Sequence, residues 1–109
     1  MDSSSVLDAT MVEPSAGFAA LADPTRLQIL DVLSRGPRCV CDLRADVPIA
    51  ANLLSYHLKV LRDAGLVTCA RRGRWIDYAI DDTALERLLD AVPRPVRRLA
   101  GSAEGSAVR

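Results

Sequence analysis

The sequence predicts a mostly α-helical domain that carries one β-hairpin, and three observations predict it. Apolar residues recur at helical spacing in separate stretches: Leu27, Leu30 and Leu33, then Leu54, Leu58 and Leu61, then Leu85, Leu88, Leu89 and Val92. Between the second and third stretches the period changes. LVTCARRGRWIDYAI reads as two β-prone runs, Leu66 to Ala70 and Trp75 to Ile80, joined by Arg71-Arg72-Gly73-Arg74. Finally, Asp23-Pro24, Gly36-Pro37, Pro48 and Gly65 stand at the ends of these runs, where helices start and stop.

Each element follows in order. The 109 residues, half of them hydrophobic, suit one domain with one core. Residues 1–13 are Ser-rich, acidic and without period, which predicts a flexible arm; residues 14–92 form the domain; residues 93–109 mix Pro, Arg, Gly and Ser, which predicts a flexible tail. A short apolar helix is expected around Gly17 to Leu21. Asp23 then caps a helix whose first residue is Pro24 and which stops at Gly36-Pro37. Cys41 to Val47 is a short helix ended by Pro48. From Ala51 to Ala64, Leu54, Leu58 and Leu61 share one face, Asn52, Ser55, Tyr56, Lys59, Arg62 and Asp63 the other, and Gly65 closes the helix. Asp82 or Thr83 caps a last helix, with Glu86 completing a capping box after Thr83. The stripe Leu85, Leu88, Leu89 and Val92 is too apolar to face water, so it is expected against a partner protomer.

Charge and cysteine usage narrow the function. Net charge is zero, but its distribution is uneven. Between Ser55 and Tyr78 five basic residues face two acidic ones, while Met1 to Pro14 holds only Asp2, Asp8 and Glu13. One basic face on a neutral protein is what a phosphate backbone would feel. The opening Met1-Asp2-Ser3-Ser4-Ser5 has no basic region ahead of an apolar stretch, and no apolar run approaches the roughly 18 residues that cross a bilayer. No membrane partner is expected, and a cytoplasmic location is. Thiols stay reduced there, so Cys39, Cys41 and Cys69 point to metal binding, redox chemistry or burial rather than a disulfide framework. A thiol enzyme is disfavoured because the chain has neither C-x-x-C nor a Gly-rich anion loop.

A short helix, a turn, a helix with a polar face and an Arg-tipped hairpin is the layout of a winged helix-turn-helix. The strings LADPTRLQIL, CVCDL, LLSYHLKVLRDAGLV and RRGRWIDYAI, in that order, closely resemble the arsenic-repressor (ArsR/SmtB) family of bacterial metal-sensing repressors. The resemblance spans about Phe18 to Val92. It implies a homodimer built from the first and last helices, one recognition helix per protomer in the major groove of double-stranded operator DNA, and release when a metal or metalloid binds. Asn52, Ser55 and Tyr56 offer donors and acceptors to base edges, and Lys59 a cation to phosphate. His57 lies between the two faces, so packing or phosphate bonding suits it better than metal ligation. Arg71, Arg72 and Arg74 resemble a wing that reaches the adjacent backbone or minor groove. Of Trp75 and Tyr78, three apart on one strand, at least one is expected to face inward.

Within CVCDL, Cys39 and Cys41 resemble the arsenic and cadmium/lead branch of this family. As(III), Sb(III), Cd(II) and Pb(II) all prefer sulfur to oxygen. On a regular helix residues two apart point about 200° apart, so shared chelation requires the helix start to be reshaped. That would shift the dimer from its DNA-competent shape. Many arsenic sensors carry a third cysteine where this chain has Arg44. Cys69 is the remaining thiol. If Arg38 to Val40 formed a short strand, Cys69 could approach Cys39 as third ligand; the alternative is a small core residue. The inducer expected is As(III) or Sb(III). Cadmium or lead is the alternative, weakened by the lack of an amino-terminal cysteine. A further alternative is thiol redox sensing by Cys39 or Cys41 with Cys69. A nickel, cobalt or zinc sensor would use His on the last helix, and the single histidine is His57.

Overall fold

Proline opens the first two helices, and an acidic residue caps each. The structure, a computed structural model, describes residues 13–96. The expected arm and tail fall almost wholly outside the described residues. Helix α1 (Pro14–Leu21) starts three residues before the expected Gly17, because Glu13 accepts the Ala16 amide at 3.0 Å and Pro14 needs no donor at its position. Helix α2 (Pro24–Leu33) is capped by Asp23, which accepts from the amides of Thr25 at 2.8 Å and Arg26 at 3.1 Å. The Arg26 amide, followed by that of Thr25, holds the Asp23 carboxyl below its ordinary range.

A two-residue strand, β1 (Arg38–Cys39), runs directly into α3 (Val40–Asp46), which begins one residue before the expected Cys41. After a turn comes α4 (Ala51–Asp63), closed by Gly65 at φ +81°. The hairpin is β2 (Val67–Arg72) and β3 (Trp75–Ile80), and α5 (Asp82–Asp90) follows. β2 extends past the expected Ala70, so Arg71 and Arg72 belong to the ladder and only Gly73 and Arg74 form the turn. Gly73 sits at φ +63°, the conformation a two-residue hairpin turn demands at its first position. The cap of α5 is Asp81, which accepts from the Ala84 amide at 3.0 Å, in place of the expected Asp82 or Thr83. Among the described residues no helix is long and apolar enough to cross a membrane.

The sheet is antiparallel in the order β1-β3-β2, with Cys39 opposite Asp77, Cys69 opposite Tyr78 and Arg72 opposite Trp75. Ile29 of α2, Leu43 of α3, Leu54, Leu58 and Leu61 of α4, Leu66 and Leu88 of α5 are fully buried and form the centre of the core. Helices α3 and α4 with the hairpin beside them give the winged helix-turn-helix arrangement. Tyr78 packs on the core and Trp75 remains 45% exposed, so the two aromatics divide as the strand's alternation requires.

The expected partner-facing stripe on α5 is corrected in part. Leu88 is buried in the chain's own core, at 2% exposure, and Leu85 packs against that core. Successive residues turn by about 100° around a helix, so with Leu88 inward Leu89 points away, and it stays 47% exposed with Val92 at 46%. Leu88→Ala should therefore lower stability by about 2–5 kcal/mol in urea unfolding followed by circular dichroism. An unchanged midpoint would contradict its place in the core.

Candidate DNA-binding face and thiol pair

Helix α4 separates its residues by helical phase. Leu54, His57, Leu58 and Leu61 follow i, i+3, i+4, i+7 spacing and are all buried. Asn52, Ser55, Tyr56 and Lys59 lie together on the opposite side and are exposed. Four of the five residues expected to read DNA from this helix thus share one open face. His57 is the exception. It is only 6% exposed, and its Nδ1 accepts a hydrogen bond from Arg26 Nη1 at 3.1 Å, so its phase assigns it to the interior and not to the polar face. Tyr56 is 56% exposed and meets the His57 ring edge-on, centroids 5.2 Å apart. Lys59 donates to Asp63 at 2.8 Å, but both side chains are well over half exposed, so the pair is loose and solvent-screened.

The three wing arginines are not equivalent. Arg72 forms a fork to Asp77, with Nε to Oδ2 at 2.6 Å and Nη2 to Oδ1 at 3.0 Å. This is a diagonal cross-strand contact, since Arg72 is opposite Trp75 and Asp77 lies two residues further along β3. The Arg72 hydrogen bond holds the Asp77 carboxyl below its ordinary range, and Asp77 in turn raises the guanidinium. Arg71 donates to the Gly73 carbonyl at 3.4 Å, and Arg74 forms no ion pair among the described residues. Arg71 and Arg74 are the wing cations with uncommitted charge.

The three cysteines do not converge. All are free; Cys39 is buried, while Cys41 and Cys69 are exposed. Cys39 has an extended backbone, φ −80° and ψ 168°, and occupies the cap position of α3, so it precedes the helix in which Cys41 sits. Arg38 and Cys39 do form a strand, as expected for this stretch, but it pairs with β3 and not with β2. Asp77 and Ala70 share Cys39's row across the sheet, and Cys69, adjacent to Ala70, points to the other face. Cys39 and Cys69 are thus on opposite faces and two strands apart, roughly 9–10 Å at strand spacing, beyond disulfide or shared-chelate reach. Nor is Cys69 a core residue, since it is exposed. Among the described residues no group of three or more His, Cys, Asp or Glu is placed to hold a metal ion. A soft ion would find two sulfur donors, one buried and one exposed, with no third beside them.

The family model described as bacterial regulatory protein, arsR family, matches residues 23–68. The arsenical resistance operon repressor of Bacillus subtilis (strain 168) is 44% identical over 73 residues, covering 66% of this chain and 70% of that protein. The chain belongs to the ArsR family. The cadmium resistance transcriptional regulatory protein CadC homolog of Staphylococcus aureus is 34% identical over 74 residues, covering 67% of this chain and 61% of that longer relative. The solution structure of the homodimeric winged helix-turn-helix DNA-binding domain of a possible ArsR-family regulator from Mycobacterium bovis aligns with TM-score 0.63 and 31% identity. It covers 80% of this chain and 79% of that one. As an ArsR-family member the chain is a DNA-binding transcriptional regulator and not an enzyme.

Two residues that matter at this face were not singled out from the sequence: Arg26, which meets His57, and Asp77, which holds Arg72. The second pair makes a pH-dependent contribution whose sign is fixed. Asp77 is depressed in the folded state, so its stabilisation is present above the ordinary carboxylate pKa of about 3.9 and is lost as pH falls through the folded value. In an NMR titration the Asp77 carboxyl should titrate below an ordinary aspartate and move up in Arg72→Gln; no movement would mean the fork is not populated.

Proposed function

We propose that this ArsR-family regulator is a metalloid-responsive transcriptional repressor, holding operator DNA as a homodimer and releasing it when a thiophilic ion, As(III) or Sb(III), engages Cys39 and Cys41. One observation carries the reading: Cys39 stands where β1 becomes α3, in the same sheet row as Asp77, which grips Arg72 of the wing. Such an ion, when bound, supplies bonds to sulfur and little else. The chain does the rest. Cys41 faces solvent and is open to first capture, while Cys39 is buried and two residues away. For both sulfurs to reach one centre, Cys39 must leave its extended cap conformation, which loosens the β1–β3 pairing and the start of α3 together. Leu43 of α3 lies in the same buried core as the leucines of α4, and the Arg72 side chain is held by Asp77 of β3, so both DNA-facing elements are exposed to the change.

On the DNA side, Asn52, Ser55 and Tyr56 read base edges in the major groove, Lys59, Arg71 and Arg74 meet phosphate or the minor groove, and Arg72 contributes through its placement of the strand. Supporting the dimer, Leu89 on α5 and Val92 just after it remain exposed. The similarity to a cadmium resistance regulator favours Cd(II) as the second inducer to test. A redox switch that joins Cys39 to Cys69 is disfavoured by β3 lying between them. The reduced cytoplasm is the setting in which free thiols of this kind stay available.

A DNA duplex enriched from a random-sequence pool by the wild-type chain provides the test. Arsenite should release it from wild type and from Cys69→Ser, and should fail to release it from Cys39→Ser or Cys41→Ser, both of which should still bind. Full release from the two latter variants would remove the thiol pair from sensing. For assembly, Leu89→Asp should yield folded monomers in sedimentation experiments, whereas Leu88→Asp should unfold the chain. A wild-type chain that stays monomeric at micromolar concentration would refute the dimer.

A further inference from the structure

Arg26 is a part-buried charged side chain whose hydrogen bonds link three helices. From the first turn of α2, its Nε donates to the Ala20 carbonyl at 2.6 Å, one of the terminal carbonyls of α1 that lack a helical partner. Its Nη1 donates to Nδ1 of His57 on α4 at 3.1 Å. Its own amide is held by Asp23, which fixes where the side chain starts. A guanidinium only donates, so Nδ1 is the acceptor and the ring hydrogen sits on Nε2. The His57 ring, oriented this way, packs edge-on against Tyr56, whose exposed ring belongs to the open face of α4.

We propose that Arg26 and His57 are a positioning pair for DNA recognition, setting the rotation of α4 relative to α1 and the orientation of the Tyr56 ring. The proposal rests on the reading of α4 as the helix that meets base edges. Two features separate this pair from ordinary core packing. Leucines at the same phase set which side of α4 is buried but leave the rotation loose within that stripe, since apolar contact has no directional preference. A forked donor with one target on α1 and another on α4 does specify it, because both hydrogen bonds are satisfied in only one relative arrangement. Through His57 the constraint then reaches the adjacent residue of the open face. Arg26 touches no DNA in this scheme and acts only through His57.

The experiment compares binding of two duplexes by fluorescence anisotropy at fixed salt: the one enriched by wild type from a random pool, and a scrambled duplex of equal length. Binding is read at low temperature, where circular dichroism confirms that each variant is folded. Arg26→Gln and His57→Leu should each weaken the enriched duplex about tenfold or more, with the scrambled duplex, held by phosphate contacts, nearly unchanged. The double variant should be no worse than the weaker single, as expected of one unit. His57→Asn, which retains an acceptor near the Nδ1 position, should recover much of the lost specific affinity even if His57→Leu is poorly folded. Folded variants that keep wild-type preference, losses that add, or equal losses on both duplexes would overturn the positioning role alone. Failure of wild type to enrich any sequence would instead overturn base reading by α4, and this inference with it.

Discussion

Strand β3 is paired along both edges, and the arrangement of the thiol end and the wing depends on that double pairing. On one side it carries β1 and with it Cys39; on the other it carries β2 and the arginines. The pairing puts Cys39 beside Asp77, lets Asp77 reach Arg72 across the opposite edge, and sets Cys69 on the other face with a strand between it and Cys39. Cys39 and the hairpin arginines are therefore neighbours through backbone hydrogen bonds, with no long relay between them. β1 is two residues long and, among the described residues, pairs with β3 alone.

Helix α4 adds a second constraint of the same simplicity. Burying Leu54, Leu58 and Leu61 fixes which residues face outward, so the face of Asn52, Ser55, Tyr56 and Lys59 follows from the core and needs no separate device. That stripe sets the rotation of α4 broadly, and directional bonds narrow it. The part-buried Arg26 and the buried His57 meet at that point, where apolar packing is least selective.

Much of this was legible in the sequence because it depends on local period and punctuation. The leucine spacing of α2 and α4, the Asp23-Pro24 start and the glycine in the hairpin all express short-range rules, and the elements they predict are present. The same phase rule, applied one residue further, would have put His57 in the core with Leu54, Leu58 and Leu61. Likewise, a two-residue turn at Gly73-Arg74 fixes the register and makes Asp77 the diagonal neighbour of Arg72. Other features could not be read locally. Arg26 meets a residue 31 positions away, and the order β1-β3-β2 that separates Cys39 from Cys69 is set by how the chain returns to the sheet. Nor could the α5 stripe be divided from its period alone. Leu88 turns inward because α5 must close the chain's own core before its exposed residues can serve a partner.

The position of β2 at the sheet's margin has a consequence of a different kind. Among the described residues its outer edge is unpaired and its side chains from Thr68 to Arg72 are exposed, which is the geometry through which strands of separate molecules zip together. Two consecutive arginines at the end of that edge oppose such growth by mutual repulsion between copies. The basic residues of the hairpin thus favour colloidal stability. Replacing Arg71 and Arg72 with β-branched neutral residues would convert the strand into a template for fibrillar stacking, and the resulting loss of soluble protein would be indistinguishable from lost DNA affinity unless the two were measured apart.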